Sequence, residues 1–240
     1  MPQHHRRSGY HTRARTSELT KRSWVTIGVG ALALAIACAL AWWAYKEAQK
    51  RALQRDVVAL VQDSTARLRE ALEVLPAGAE ARAGLEAHFT ALEGSVEKMQ
   101  ALDASMQPEL VEAAYAYVTD VHALLRRQLA LHAGRDAVRV DIGEINNHLR
   151  AIGTRSPEWI HQALALKQRL EKSFFDYRLA AGGLEKSLRA LRDTGPRLRS
   201  FVPAAVVIEE DPMLAAEKRL LELSTQIEQQ VQTARNLPAG

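Results

Sequence analysis

The chain has 240 residues, of which 47 % are hydrophobic and 5 % aromatic, and its formal net charge is +4. Residues 1–23 hold six basic residues and one acid, so they carry +5 and the remaining chain carries −1. A near-neutral body lacks the basic face that nucleic-acid binding requires. The single cysteine, Cys38, excludes an intramolecular disulfide framework.

The N-terminal segment 1–23 is predicted to be a disordered tail that sets membrane topology. Basic residues near the ends of a membrane helix favour the cytoplasmic side. Four basic residues follow the apolar segment between positions 46 and 55, against six before it. This excess predicts a cytoplasmic N-terminus and an extracytoplasmic body. The six topology residues are Arg6, Arg7, Arg13, Arg15, Lys21 and Arg22.

Residues 24–45 contain no charged side chain and are predicted to form a single transmembrane helix. At about 1.5 Å per residue, this segment is long enough to cross a hydrocarbon core of about 30 Å. Aromatic rings at its two ends are typical of the membrane interface, and they belong to Trp24, Trp42, Trp43 and Tyr45. Two alternatives are a signal peptide cleaved after Ala37 and lipidation of Cys38. The apolar run continues beyond both positions, which favours the uncleaved anchor.

The body is rich in strong helix formers and poor in strand-forming clusters, which predicts an all-α fold. We expect residues 46–194 to form an antiparallel, coiled-coil-like helical bundle and residues 212–240 to add a C-terminal helix. Turn signals divide the chain into predicted helices at 24–75, 79–105, 108–132, 136–152, 157–193 and 212–235.

Apolar residues along these helices recur at steps of three and four, which predicts their buried faces. The first body helix follows an eleven-residue pattern, which favours straight packing. Its members are Leu53, Val57, Val61, Ser64, Leu68, Leu72 and Leu75. A second series on the third helix comprises Leu110, Ala114, Tyr117, Val121, Leu124, Gln128 and Leu131.

Residues 195–211 have no helical period and are predicted to be an irregular connection. Long connections in compact domains are often functional. Apolar side chains in this connection have two interpretations: they dock a partner through an added strand, or they pack along the bundle. The candidate docking residues are Phe201, Val206, Val207 and Ile208.

Polar residues next to an apolar series can fix helix register or line a ligand pocket. Gln128 and Tyr117 fall on the series itself, and Arg127 flanks it. An arginine can grip an anion with two parallel hydrogen bonds. Tyr117, Arg127 and Gln128 are therefore candidate ligand or register positions.

The sequence contains no pattern typical of a catalytic or cofactor site. The one metal-like pattern is Glu158-x-x-His161, but di-iron bundles need two such pairs. We therefore expect no enzyme activity, no metal and no cofactor.

These observations predict a non-catalytic interaction or scaffold module, anchored by one helix in the inner membrane of a cell with the bulk of the chain in the periplasm. Expected partners are the lipid bilayer and another envelope protein or a second copy, and no nucleic acid. The alternative is a periplasmic ligand-sensing domain that works through a membrane partner, with a polar pocket walled by Tyr117, Arg127 and Gln128.

Overall fold

The computed structural model describes residues 12–78, 80–150 and 156–236, with side chains from Gly28 onward. The described residues are all-helical, with no strand among them, which confirms the predicted fold class at this level. The helices are α1 (Thr12–Glu73), α2 (Ala81–Gln100), α3 (Pro108–Arg150), α4 (Pro157–Arg199) and α5 (Glu210–Asn236). Short 3₁₀ turns at Ala104–Met106 and Ala204–Val206 precede α3 and α5.

The chain divides into two compact units, residues 1–52 and 53–240, and α1 contributes to both. The predicted start of the first helix near residue 24 is wrong, because α1 begins at Thr12. Residues 12–23 contain neither glycine nor proline to oppose a helix. Residues 1–11 lie outside the described part of the chain. The side chains of Trp24 and of the six topology residues lie outside it as well.

Within the body, α3 packs against α2, α4 and α5. The pair α3–α4 is antiparallel, and its register is nearly constant along its length. A step toward the N-terminus of α3 is matched by a step of similar size toward the C-terminus of α4. The matched pairs are Glu112–Arg197, Arg127–Gly183, Gly134–Tyr177, Asp141–Arg169 and His148–Trp159.

Both predicted apolar series are buried except at Leu53, which is half-buried, and the other positions are thereby confirmed. The eleven-residue series is buried from Val57 on α1 to Leu75 in the turn after it, and the α3 series from Leu110 to Leu131. Apolar burial at this spacing stabilises helix-on-helix packing by about 25 cal/mol per Å² removed from water.

The predicted helix end at 132–134 is wrong, since α3 continues through it to Arg150. Gly134 instead lies where α3 and α4 approach closely. A Cβ atom there would lie 3.1 Å from the Cα of Tyr177. The glycine therefore serves helix packing rather than a turn.

The predicted stop at 193–196 is also wrong, because α4 runs through Pro196 to Arg199. A proline costs a helix one backbone hydrogen bond. This loss falls in the last turn, where burial of Leu198 holds the helix. Gly195 is buried beside the connection, and a Cβ there would lie 3.6 Å from Val207 Cγ1.

Two glycines of α3 provide a matched test of this packing. Gly143→Ala, where nothing lies within 4 Å of the new Cβ, should raise the free energy of unfolding by about 0.5–1 kcal/mol through helix propensity. Gly134→Ala gains the same helix propensity, but its new methyl group presses on the Tyr177 backbone. We therefore expect the free energy of unfolding to fall by about 1 kcal/mol. Urea denaturation of both variants, followed by circular dichroism, measures the difference. Equal increases in the free energy of unfolding at both sites would contradict the close approach of α3 and α4 at Gly134.

Candidate interaction surface

Gln128 is fully buried and holds the C-terminal end of α1. Its Nε2 donates to the carbonyl oxygen of Ala71 at 2.6 Å. The last carbonyls of a helix have no partner within the helix, and α1 has no basic residue in its last turn. Arg219 of α5 donates to the next carbonyl, Leu72, at 3.4 Å. Gln128 therefore joins α3 to the C-terminal end of α1.

Tyr117 is also fully buried and joins three parts of the body. Its hydroxyl forms a 2.8 Å hydrogen bond with Thr65 of α1 and accepts one of 3.1 Å from the backbone N–H of Ile208. Burial raises the pKa of the Tyr117 phenol. These bonds tie α1 and the α4–α5 connection to α3.

Arg127 lies on a different side of α3 and donates to the carbonyl of Gly183 on α4. Tyr117 and Gln128 are eleven residues apart, about 16 Å along the helix. The structure therefore does not bring the three candidate ligand residues together in a shared pocket, and each bonds to the chain itself.

A buried polar cluster in the middle of α3 was not predicted from the sequence. Arg135 is 2 % exposed and donates to the carbonyls of Pro76 (3.2 Å) and Ala77 after the end of α1. It also donates to Nδ1 of the buried His132 at 2.9 Å. Among the described residues, no carboxylate pairs with Arg135. Continuing the α3 apolar series past Leu131 by a step of four would have placed Arg135 on the buried face.

His132 is held in its neutral form by this arrangement. A guanidinium only donates, so Nδ1 must accept and Nε2 must carry the proton. Burial, together with the charge of Arg135, lowers the pKa of His132 from 6.5 to about 4. The Nε2 atom is buried without a partner. Arg135 and His132 are both buried, and the cluster holds the turn between α1 and α2 through the carbonyls of Pro76 and Ala77.

Glu158 and His161, the metal-like pattern on α4, belong to no group of three or more potential metal ligands in the part of the chain that the structure describes. Glu158 lies in the first turn of α4, and Ser156 accepts from the N–H of Trp159 at 3.2 Å as the N-cap. His161 is exposed. These roles are those of a helix start.

The α4–α5 connection is packed onto the bundle. Val207 and Ile208 are fully buried, so their side chains are not available to a partner in this folded state. Phe201 and Val206 are half-buried. Phe201 also lines a cavity of about 330 Å³ together with Gln54, Gln107 and Leu110. Tertiary packing thus leaves only part of the predicted docking segment accessible.

The body exposes large apolar side chains on α4, on a face turned away from α3. Four of them, between 48 % and 61 % exposed, form what we call the α4 apolar face: Ile160, Leu164, Phe175 and Leu179. At 3.6 residues per turn they fall within an arc of about 100° and extend over about 28 Å. Contiguous exposed apolar surface on a folded domain typically marks an interaction site.

A groove of about 540 Å³ between α4 and α5 borders this face. Gly182 on α4 and the exposed Leu214 and Leu221 on α5 line it. The periodicity of α4 predicted its buried side, but the apolar residues on its other side were not recognised. Plotting Ile160 to Leu179 at 100° per residue would have grouped them on one side of α4, but it does not tell which side of the helix is covered.

No protein-family model, no curated protein and no solved structure matches this chain.

Proposed function

We propose that this protein is a non-catalytic interaction module, held in the inner membrane of a cell by one N-terminal helix, with its helical body in the periplasm. The observation that carries the interaction role is the α4 apolar face with its adjoining groove. A helical surface of this kind suits helix-on-helix docking.

The anchor is supported by α1, the one helix of the described residues that is long and apolar enough to span a membrane. Its large apolar side chains in this segment are each more than half exposed, and they belong to Val29, Leu32, Leu34, Ile36 and Leu40. At the end of the apolar run, Lys46 lies 5.3 Å from the centre of the Trp42 ring. A cation beside an aromatic ring is typical of the membrane interface.

We expect two arginines in the middle of the apolar segment to release the protein from membranes. In Leu34→Arg/Ile36→Arg, each arginine opposes insertion by about 3 kcal/mol. Alkaline extraction of membranes from expressing cells, followed by immunoblotting, measures the released fraction. The matched control is Val140→Arg/Leu221→Arg, which adds the same charge at exposed positions of the body and should stay in the pellet.

The same strains test the location of the body. A reporter fused after Gly240 that is active only outside the cytoplasm should be active in the wild-type chain. Wild-type protein extracted by alkali would contradict the anchor. An extraction-resistant chain with a cytoplasmic reporter would contradict the orientation alone.

A further inference from the structure

We propose that His132 and Arg135 form an acid-sensitive latch, which holds the turn between α1 and α2 against α3 while the ring is neutral and releases it when the ring takes up a proton. Such a latch goes beyond the proposed function and does not depend on the membrane anchor. Three features of the molecule support it: the attachment of the turn, the atoms through which the two side chains meet, and the charges around them.

Among the described residues, the hydrogen bonds that join this turn to another helix all come from Arg135. Its guanidinium donates to the carbonyl oxygens of Pro76, at 3.2 Å, and Ala77. The other hydrogen bonds of the turn are local, such as the 2.9 Å bond from the N–H of Ala77 to the carbonyl of Val74. A short segment keeps little structure through local bonds alone. Loss of Arg135 as a donor therefore favours local opening of the turn.

The two side chains of the latch meet donor to acceptor, and a proton reverses that match. Nη2 of Arg135 lies 2.9 Å from Nδ1 of His132. A guanidinium has only donors, so Nδ1 is the unprotonated nitrogen of the neutral ring. A proton taken up by this ring must add to Nδ1 itself. Two donors and two positive charges would then face each other, and the contact cannot persist.

Neither side chain can relieve this repulsion inside the body. His132 is 1 % exposed and Arg135 is 2 % exposed, so water screens the two charges poorly. No carboxylate of the described residues pairs with either side chain. The Nη2 nitrogen that meets the ring also donates to Ala77. Moving the guanidinium away from a charged ring therefore releases the turn as well.

The surrounding charged groups leave His132 neutral in the closed form. Burial, followed by the charge of Arg135, lowers the pKa of the ring from 6.5 to about 4. Asp136 on α3 raises this pKa and Arg82 on α2 lowers it, so their effects oppose each other. The groups that interact with the charge of Arg135 are Arg139 and Asp136 on α3, Glu80 in the turn, and Tyr177 on α4.

The remaining elements add no carboxylate that could neutralise a charged ring at this place. Glu73, at the C-terminal end of α1, is exposed. Arg219 of α5 is bonded to the carbonyl of Leu72. The phenol of Tyr177 is uncharged in this pH range, because burial raises its pKa.

The size of the acid response follows from the two protonation states. The ring has a pKa of about 4 in the closed form and the ordinary 6.5 once the turn opens. Proton uptake therefore favours the open form, and linkage predicts an open fraction about thirtyfold larger at pH 5 than at pH 7.5. Burial of Leu75 keeps the open form rare at neutral pH.

Hydrogen–deuterium exchange followed by mass spectrometry tests the latch in the full chain, purified in detergent. Rates at pH 7.5 and pH 5 are corrected for the pH dependence of exchange in unstructured peptides. We expect the protection of amides in residues 72–78 to fall about thirtyfold between these pH values in the wild-type chain. His132→Asn, which keeps an acceptor for Arg135 but does not titrate, should change by less than about threefold. His161→Asn, at an exposed position, should behave as wild type.

Residues 184–191 of α4 distinguish the latch from unfolding of the whole body. Leu184, Leu188 and Leu191 are fully buried in this segment. A turn that opens alone should be less protected than this segment at both pH values. Equal protection of the two segments would overturn the latch. So would a turn whose protection is independent of pH in the wild-type chain, or falls equally in His132→Asn.

Arg135→Gln tests the attachment of the turn separately from the proton. The variant loses the charged donors to Pro76 and Ala77, so residues 72–78 should exchange at least about tenfold faster than wild type at pH 7.5. It also removes the charge that a proton on His132 would meet, so the response to acid should be smaller. Exchange of the turn at the wild-type rate would overturn Arg135 as the group that holds it.

Discussion

Replacing Leu184 by aspartate should unfold the helical body. Leu184 is fully buried on the side of α4 that packs into the core. Deleting a buried leucine costs about 2–5 kcal/mol, and a carboxylate at the same place adds the cost of an unpaired buried charge. The sum of about 5 kcal/mol or more matches the whole stability of a typical domain. Circular dichroism at 25 °C should therefore detect a large loss of helix.

The matched control is Leu221→Asp, because Leu221 is 69 % exposed on α5. Exposed substitutions usually change the free energy of unfolding by less than about 0.5 kcal/mol. Full helicity in Leu184→Asp, or equal losses in both variants, would show that α4 does not use this face for the core.

Acid should destabilise the body through His132. The folded chain protonates this ring only near pH 4, whereas the unfolded chain does so near pH 6.5. The unfolded state therefore binds more protons between these values, and the free energy of unfolding falls as the pH falls through this window. A pKa difference of this size corresponds to about 3 kcal/mol in the free energy of unfolding. This contribution is fully present above pH 6.5 and lost below pH 4.

The variant His132→Asn tests this prediction, because an amide oxygen can still accept from Arg135 but does not titrate. Urea denaturation at intervals between pH 7.5 and 4 should give a steeper loss of stability for the wild-type chain than for this variant. His161→Asn, at an exposed position, should follow the wild-type curve. Parallel curves for wild type and His132→Asn would exclude His132 as the source of the pH dependence.

Sequence alone determined the helical class and the buried faces. Helix propensity and the three-and-four spacing act over one or two turns, so both can be read without knowing what packs where. Burial was predicted residue by residue from Val57 on α1 to Leu75 just after it, and from Leu110 to Leu131 on α3. The apolar segment before Lys46 could also be identified from the sequence, because its length and composition are local properties.

Tertiary structure decided where helices end and what their polar residues do. Gly134 and Pro196 resemble helix breakers in sequence, but packing of Tyr177 and Leu198 outweighs their local cost of about 1–3 kcal/mol. Gln128 bonds to Ala71, 57 residues away, and Tyr117 to Ile208, 91 residues away. Such bonds depend on which helices become neighbours, and no local pattern specifies that choice. For the same reason, only the packed bundle determines which apolar residues of α4 remain exposed.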